Sequence, residues 1–132
     1  MATVFTRIIN REVKANIICE SRDYIAFLDI NPKARGHTLV VPKVEVDYIF
    51  DLEERYFSNM FLFARKVAAA IKKAMGCRRI MLLVEGFEIP HAHIHLVPAE
   101  SAGTLSATQK LYPSPKELEV ITNKIKTIYE DG

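Results

Sequence analysis

Between Asp51 and Gly76 the chain keeps one apolar period for longer than anywhere else. Leu52, Tyr56, Met60, Phe63, Val67 and Ile71 recur every three or four residues, which puts them on one face of a helix. Asp51 is placed to cap its start, with Glu54 completing a capping box. Gly76 is placed to end it, and Lys72 and Lys73 sit in the last turn, where the helix dipole favours cations. A second stripe, Phe57, Phe61, Ala64 and Ala68, runs beside the first. It is more apolar than a solvent face needs and predicts contact with a partner subunit; the alternative is a helix buried on two sides within its own domain.

Such a helix must lie on a broad apolar surface, and short β segments supply it. Residues 16–20 and 24–28 are β-branched or aromatic runs separated by Ser21-Arg22-Asp23, a hairpin signal. Residues 31–36 read as a loop, and residues 37–41 as a third strand stopped by Pro42. Residues 80–84 are continuously apolar, which predicts a fourth strand buried on both faces. A turn over residues 85–90 leads into a fifth strand at 91–97, between Pro90 and Pro98. Residues 5–12 suggest a short helix or turn with Phe5, Ile8 and Ile9 apolar. After a small-residue stretch at 101–108, Ser114-Pro115-Lys116-Glu117 has the cap, proline and acidic residue of a helix start. Leu118, Ile121, Ile125 and Ile128 then give a C-terminal helix its apolar stripe.

Strands joined by short turns around one long helix predict an α+β domain. Its sheet would be five-stranded and mainly antiparallel, with the C-terminal helix added. The length of 132 residues suits a single domain over 1–132, with a core at about 4–98 and an extension whose helix covers about 114–130. A net charge of +2 without a dense Lys/Arg block argues against nucleic acid or a membrane surface as partner. No apolar run approaches membrane-spanning length and the N-terminus lacks a signal-peptide core, so a cytoplasmic location is expected. Cys19 and Cys77 stand apart from each other and from any ligand spacing, and read as reduced thiols.

Three of the four histidines fall within His91-Ala92-His93-Ile94-His95. On a strand, side chains at alternate positions share a face roughly 6–7 Å apart, so the three imidazoles point one way. Ala92, Ile94 and Leu96 then point under the long helix. Burying such a row without purpose would leave its ring nitrogens to be satisfied. The row is compatible with a solvated strand face, with a metal site completed by Glu85, Glu88 or Asp29, or with imidazole chemistry on phosphate. Phosphate suits it well. A neutral imidazole attacks phosphorus and leaves again readily. Its neighbours repel each other's protons, which keeps one ring neutral while another donates hydrogen bonds to the transition state. No metal or other cofactor is needed for that.

His91-Ala-His93-Ile-His95-Leu-Val resembles the signature of the histidine triad (HIT) family. The block from Asp29-Ile30-Asn31-Pro32 through His37-Thr38-Leu39-Val40-Val41-Pro42-Lys43 is similar to a segment of the family's Hint-like branch. The likeness covers about residues 4–98. It implies a HIT-like fold and a purine-nucleotide-binding homodimer whose two sheets join into one. His93 would be the nucleophile that forms a nucleotidyl-histidine at the α-phosphorus. His95 would bind the α-phosphate and help protonate the leaving group, and His91 would hold the nucleophile's surroundings in place, partly through its backbone carbonyl. His37 would support the triad from the adjacent strand. Asp29 would take the ribose hydroxyls, and Phe5, Ile8, Phe27, Ile30 and Leu39 would form the slot for the base.

The implied activity is hydrolysis or nucleotidyl transfer on a nucleoside phosphoramidate or dinucleoside polyphosphate. Rival readings are a non-catalytic purine-nucleotide-binding regulatory protein and a divalent-metal-binding protein. Where Hint-like members carry an Asn and a Gly-Gln-Ser/Thr-Val stretch before the triad, this chain has Val84 and the shorter Gly86-Phe87-Glu88-Ile89-Pro90. Val44 and Glu45 occupy the region of a family histidine that follows Pro-Lys.

Overall fold

Residues 17–28 form the hairpin that the Ser21-Arg22-Asp23 signal predicts, with β1 at Ile17–Glu20 and β2 at Tyr24–Leu28. These elements are taken from a computed structural model, which describes residues 2–106 and 110–132. The others are α1 (Val4–Ile9), β3 (Thr38–Pro42), α2 (Glu54–Met75), β4 (Arg79–Leu83), β5 (Ile94–Ala99) and α3 (Pro115–Asp131). The five strands pair antiparallel in the order β1-β2-β3-β5-β4. The fold class is therefore the expected α+β arrangement. Residues 107 and 108 of the small-residue stretch lie outside the described residues.

The sheet's two faces have different tasks. On one, Val40, Ile94 and Leu96 meet Met60, Val67 and Ile71 of α2, all of them essentially inaccessible to solvent. Each such side chain contributes about 1.5–3 kcal/mol through burial. Leu118 and Ile125 of α3 join the same core, and Arg35 pairs with Glu117 at 3.0 Å. Ala92, Ile94 and Leu96 lie under the long helix as their alternation predicts. On the opposite face α1 brings Phe5 and Ile8 onto Ile25, Phe27, Leu39 and Val41. That second, smaller cluster adjoins the histidines.

The ends of α2 and α3 test the capping signals. Gly76 closes α2 in the left-handed conformation (φ 63°), and Ser114 with Glu117 forms the full capping box that starts α3. The start of α2 differs from expectation. Residues Ile49–Asp51 form a single 3-10 turn, Leu52 is extended, and Glu53 stands at the N-cap without a side-chain hydrogen bond. Ile49 and Leu52 are both buried, so anchoring them in the core outweighs the cap that Asp51 offered. The second stripe of α2 is also divided: Ala64 belongs to the core, whereas Phe57, Phe61 and Ala68 are half-buried against its rim.

Two strand expectations need correction. β4 is an edge strand, so its apolar run is not buried on both faces; Leu82 remains 48% exposed. β5 starts only at Ile94 and runs through Pro98. Beyond Leu96 it has lost its β3 neighbour and pairs with β4 alone, a position where a residue without an N–H is tolerated. Residues 91–93 are not strand. There Ala92 N–H bonds the Val46 carbonyl and His91 N–H bonds the Ile89 carbonyl.

Candidate active site

Because the chain curls before β5, the three triad imidazoles do not form one extended row. His91 turns inward and is fully buried. His93 and His95 stay together, ring centroids 4.8 Å apart, and Phe5 lies edge-on to His93 at 4.9 Å. His95 is opposite Leu39 of β3 and Leu83 of β4, which puts His37, two residues before Leu39, on its diagonal. Gly36, just before His37, packs against Met75 at the end of α2. Its φ of 94° suits glycine, and a Cβ there would stand 2.9 Å from Met75 Cγ.

Of the ten residues singled out from the sequence, every one but His91 lines a single cleft of about 1310 Å³. Phe5, Ile8, Phe27 and Leu39 form its apolar wall, with Phe5 edge-on to Phe27. Ile30 lies at the mouth, 66% exposed, and is not part of that packed wall. Asp29 accepts from Asn31 N–H at 2.8 Å. Burial raises its carboxyl above the ordinary carboxylate value, an effect that the Asn31 bond opposes.

The hydrogen bonds assign a proton to each ring. Lys33 N–H donates to His37 Nδ1 at 3.0 Å, so the His37 proton is on Nε2. That proton is donated to His95 Nδ1, also at 3.0 Å. His95 therefore carries its own proton on Nε2, which is buried and has no partner among the described residues. Burial, the largest cause, holds His37 near pKa 3 and His95 near 4, so both are neutral around pH 7. Asp29 Oδ2 is 3.6 Å from His37 Nε2, beyond a hydrogen bond, and a neutral His37 makes no ion pair with it. His93 Nδ1 donates to the His91 carbonyl at 2.7 Å, leaving a free lone pair on His93 Nε2. The pair thus offers a nucleophilic nitrogen beside an unengaged N–H donor.

Two groups approach metal-ligand spacing: Asp29 with His37 and His95, and Glu85 with His93 and His95. A cation on either would take a nitrogen from the His37–His95 bond or reverse that bond. Reversal would set a His37 N–H against the Lys33 N–H, two donors facing each other. The proton pattern favours an anionic ligand that accepts from His95.

Several contributors carried little sequence signal. Lys33 bonds His37 through its backbone amide, and its side-chain charge disfavours protonation of His37 and His95. Thr3 and Glu45 are far from the triad in sequence, although Thr3-Val4-Phe5-Thr6 has the spacing of a helix cap. Glu85 stood out only as a possible metal helper, yet it lines the cleft beside His93 and His95.

The HIT domain matches residues 10–102. An uncharacterised HIT-like protein of Methanocaldococcus jannaschii is 34% identical over 100 residues, which span 72% of this chain and 77% of that protein. An adenosine 5′-monophosphoramidase of Saccharomyces cerevisiae is 30% identical over 98 residues, 74% of this chain and 62% of that one. Among solved structures, a HIT-like protein of Bartonella henselae superposes with a TM-score of 0.85 at 27% identity, covering 96% of this chain and 95% of its own. That coverage runs past residue 102, so the likeness includes the C-terminal helix. A domain match over most of the chain and a shared fold over nearly all of it make this protein a member of the HIT family.

Proposed function

We propose that this protein hydrolyses purine nucleoside phosphoramidates through a covalent nucleotidyl-His93 intermediate, without a metal ion. The observation that carries the reading is the pairing of a free His93 Nε2 lone pair with an unengaged His95 Nε2–H in one cleft. The base would lie against Phe5, Ile8, Phe27 and Leu39, with Ile30 at the entrance, and the ribose hydroxyls on Asp29.

The arriving phosphate's negative charge and Glu85 both raise the proton affinity of His95. As it takes a proton from solvent its Nδ1–H turns to donate to His37 Nε2, and the contact with phosphate offsets the His37 N–H that then faces the Lys33 N–H. His93 Nε2 attacks the phosphorus. The P–N bond breaks with its electron pair going to nitrogen, which takes the Nε2 proton of His95. Water then attacks the phosphorus and displaces His93, its proton returns to His95, and the nucleoside monophosphate leaves. Glu85 favours a leaving group that departs as a neutral amine over an anionic polyphosphate, which its carboxylate repels. The relationship to the yeast phosphoramidase supports the same choice.

A homodimer fits the exposed surface. β4 has a free edge carrying Leu82, and Leu62 of α2 is likewise half-exposed. A second copy pairing there would bury both.

The test is AMP release from adenosine 5′-phosphoramidate, with and without a chelator, by the native chain and His93→Ala. Chelator-resistant release that falls at least ~10³-fold in the variant is expected. Release that a chelator abolishes, or that His93→Ala retains, would overturn the reading. Stoichiometric AMP binding without turnover would instead support the non-catalytic reading. The turn before the triad favours that alternative in one respect, since Pro90 offers no N–H to phosphate.

A further inference from the structure

The residues that seat the N-terminal helix also reach the nucleophile. Thr3 caps α1, accepting from Thr6 N–H at 3.2 Å, and its hydroxyl lies 2.9 Å from His91 Nδ1. Glu45, just beyond β3, accepts from the Thr3 backbone N–H at 3.2 Å and from the Thr6 hydroxyl. One proton assignment satisfies the buried His91 ring. Its Nε2 is 2.8 Å from the Pro42 carbonyl, which only accepts, so Nε2 bears the proton and Nδ1 accepts from Thr3.

The chain of contacts continues through the backbone, because the His91 carbonyl is the acceptor for His93 Nδ1. Free neutral imidazole in histidine prefers its proton on Nε2. Keeping it on Nδ1, which leaves Nε2 able to attack, depends on that carbonyl staying where it is. The same helix holds Phe5 edge-on to both rings, 5.7 Å from His91 and 4.9 Å from His93.

We infer that Thr3, seated by Glu45, is a positioning residue for His93: by hydrogen-bonding His91 it fixes the carbonyl that selects the reactive tautomer of the nucleophile. The inference rests on the reading of His93 given above. A valine at position 3 would match threonine in size but leave the buried His91 Nδ1 with only the Thr6 hydroxyl, 3.5 Å away and already donating to Glu45. The ring would turn or admit water, and the carbonyl would move with it.

The experiment compares the native chain with Thr3→Val, Thr3→Ser and Glu45→Gln by two readouts. One is kcat and KM on adenosine 5′-phosphoramidate; the other is the ¹⁵N spectrum of the histidine rings. Thr3→Val is expected to lower kcat about tenfold with a smaller change in KM, and to shift the His93 ring toward the Nε2–H form. Thr3→Ser should restore most of kcat and the native spectrum. Glu45→Gln should fall between them, and being an exposed change it remains informative if Thr3→Val fails to fold. A native His93 spectrum and native kcat in Thr3→Val would overturn the inference, as would a serine variant no better than valine. The ring spectra need no turnover. A native chain without hydrolase activity would therefore sink the proposed reaction while the tautomer test still decides on Thr3.

Discussion

Four histidines lie in or beside the cleft, and their hydrogen bonds make them chemically different. His91 is buried scaffold, His37 relays a backbone N–H to His95, and His95 presents a donor beside the acceptor of His93. Spacing in the sequence singled out three of them, placed on one strand face, and the family resemblance added His37 and implied a different role for each. The differences come from the group each ring meets: His91 takes a distant one, the Thr3 hydroxyl, whereas His37 and His93 take theirs from four and two residues back, the Lys33 amide and the His91 carbonyl. Glu85 belongs to the same scale. If its carboxylate favours departing amines, Glu85→Gln should lower kcat/KM for adenosine 5′-phosphoramidate roughly fivefold while leaving or raising that for a diadenosine polyphosphate. Parallel assays on both substrates check this, and an equal fall on both would refute a charge effect.

At the scale of elements, the long helix, the hairpin and the C-terminal capping box were legible because each depends on neighbours within one or two turns. Helix and strand boundaries that answer to distant burial were not. Asp51 loses its capping position to the anchoring of Ile49 and Leu52, and the apolar run of β4 is at an edge. That edge makes a prediction about assembly. Leu82→Lys should leave the circular dichroism spectrum unchanged and raise a dimer's dissociation constant at least ~10-fold, seen by sedimentation. A native chain that sediments as a monomer would remove the dimer proposal. Phe57 and Phe61 are poorer candidates for this test, since both already pack against the domain's own core.

For the whole molecule, burying neutral imidazoles links folding to pH. The unfolded chain takes up protons on its histidines as pH falls below about 6.5, whereas folded His95 and His37 resist until about 4 and 3. The unfolded state therefore binds more protons in that interval, and stability must decline as pH is lowered through it. Urea unfolding at pH 7, 6 and 5 should show a midpoint that falls at each step, and a flat profile would contradict the neutral, buried arrangement. Within the described residues no helix is long and apolar enough to cross a membrane. The sheet itself separates a packed face under α2 and α3 from a face where α1 and the histidines border the cleft.

Local periodicity by itself determined that this chain has one long helix, a hairpin, short antiparallel strands and a concentrated set of imidazoles. Those features follow from side-chain spacing, which is fixed along the backbone. Tertiary structure alone decided where the protons sit. A ring nitrogen becomes donor or acceptor according to the group facing it, and here those groups are a Lys33 amide, a Thr3 hydroxyl and the Pro42 and His91 carbonyls. The Thr3 hydroxyl and the Pro42 carbonyl reach His91 from distant segments, and the Lys33 amide and His91 carbonyl are aimed by the path of the loops that carry them. The family signature marks where the imidazoles gather, and the fold decides which nitrogen of each keeps a lone pair.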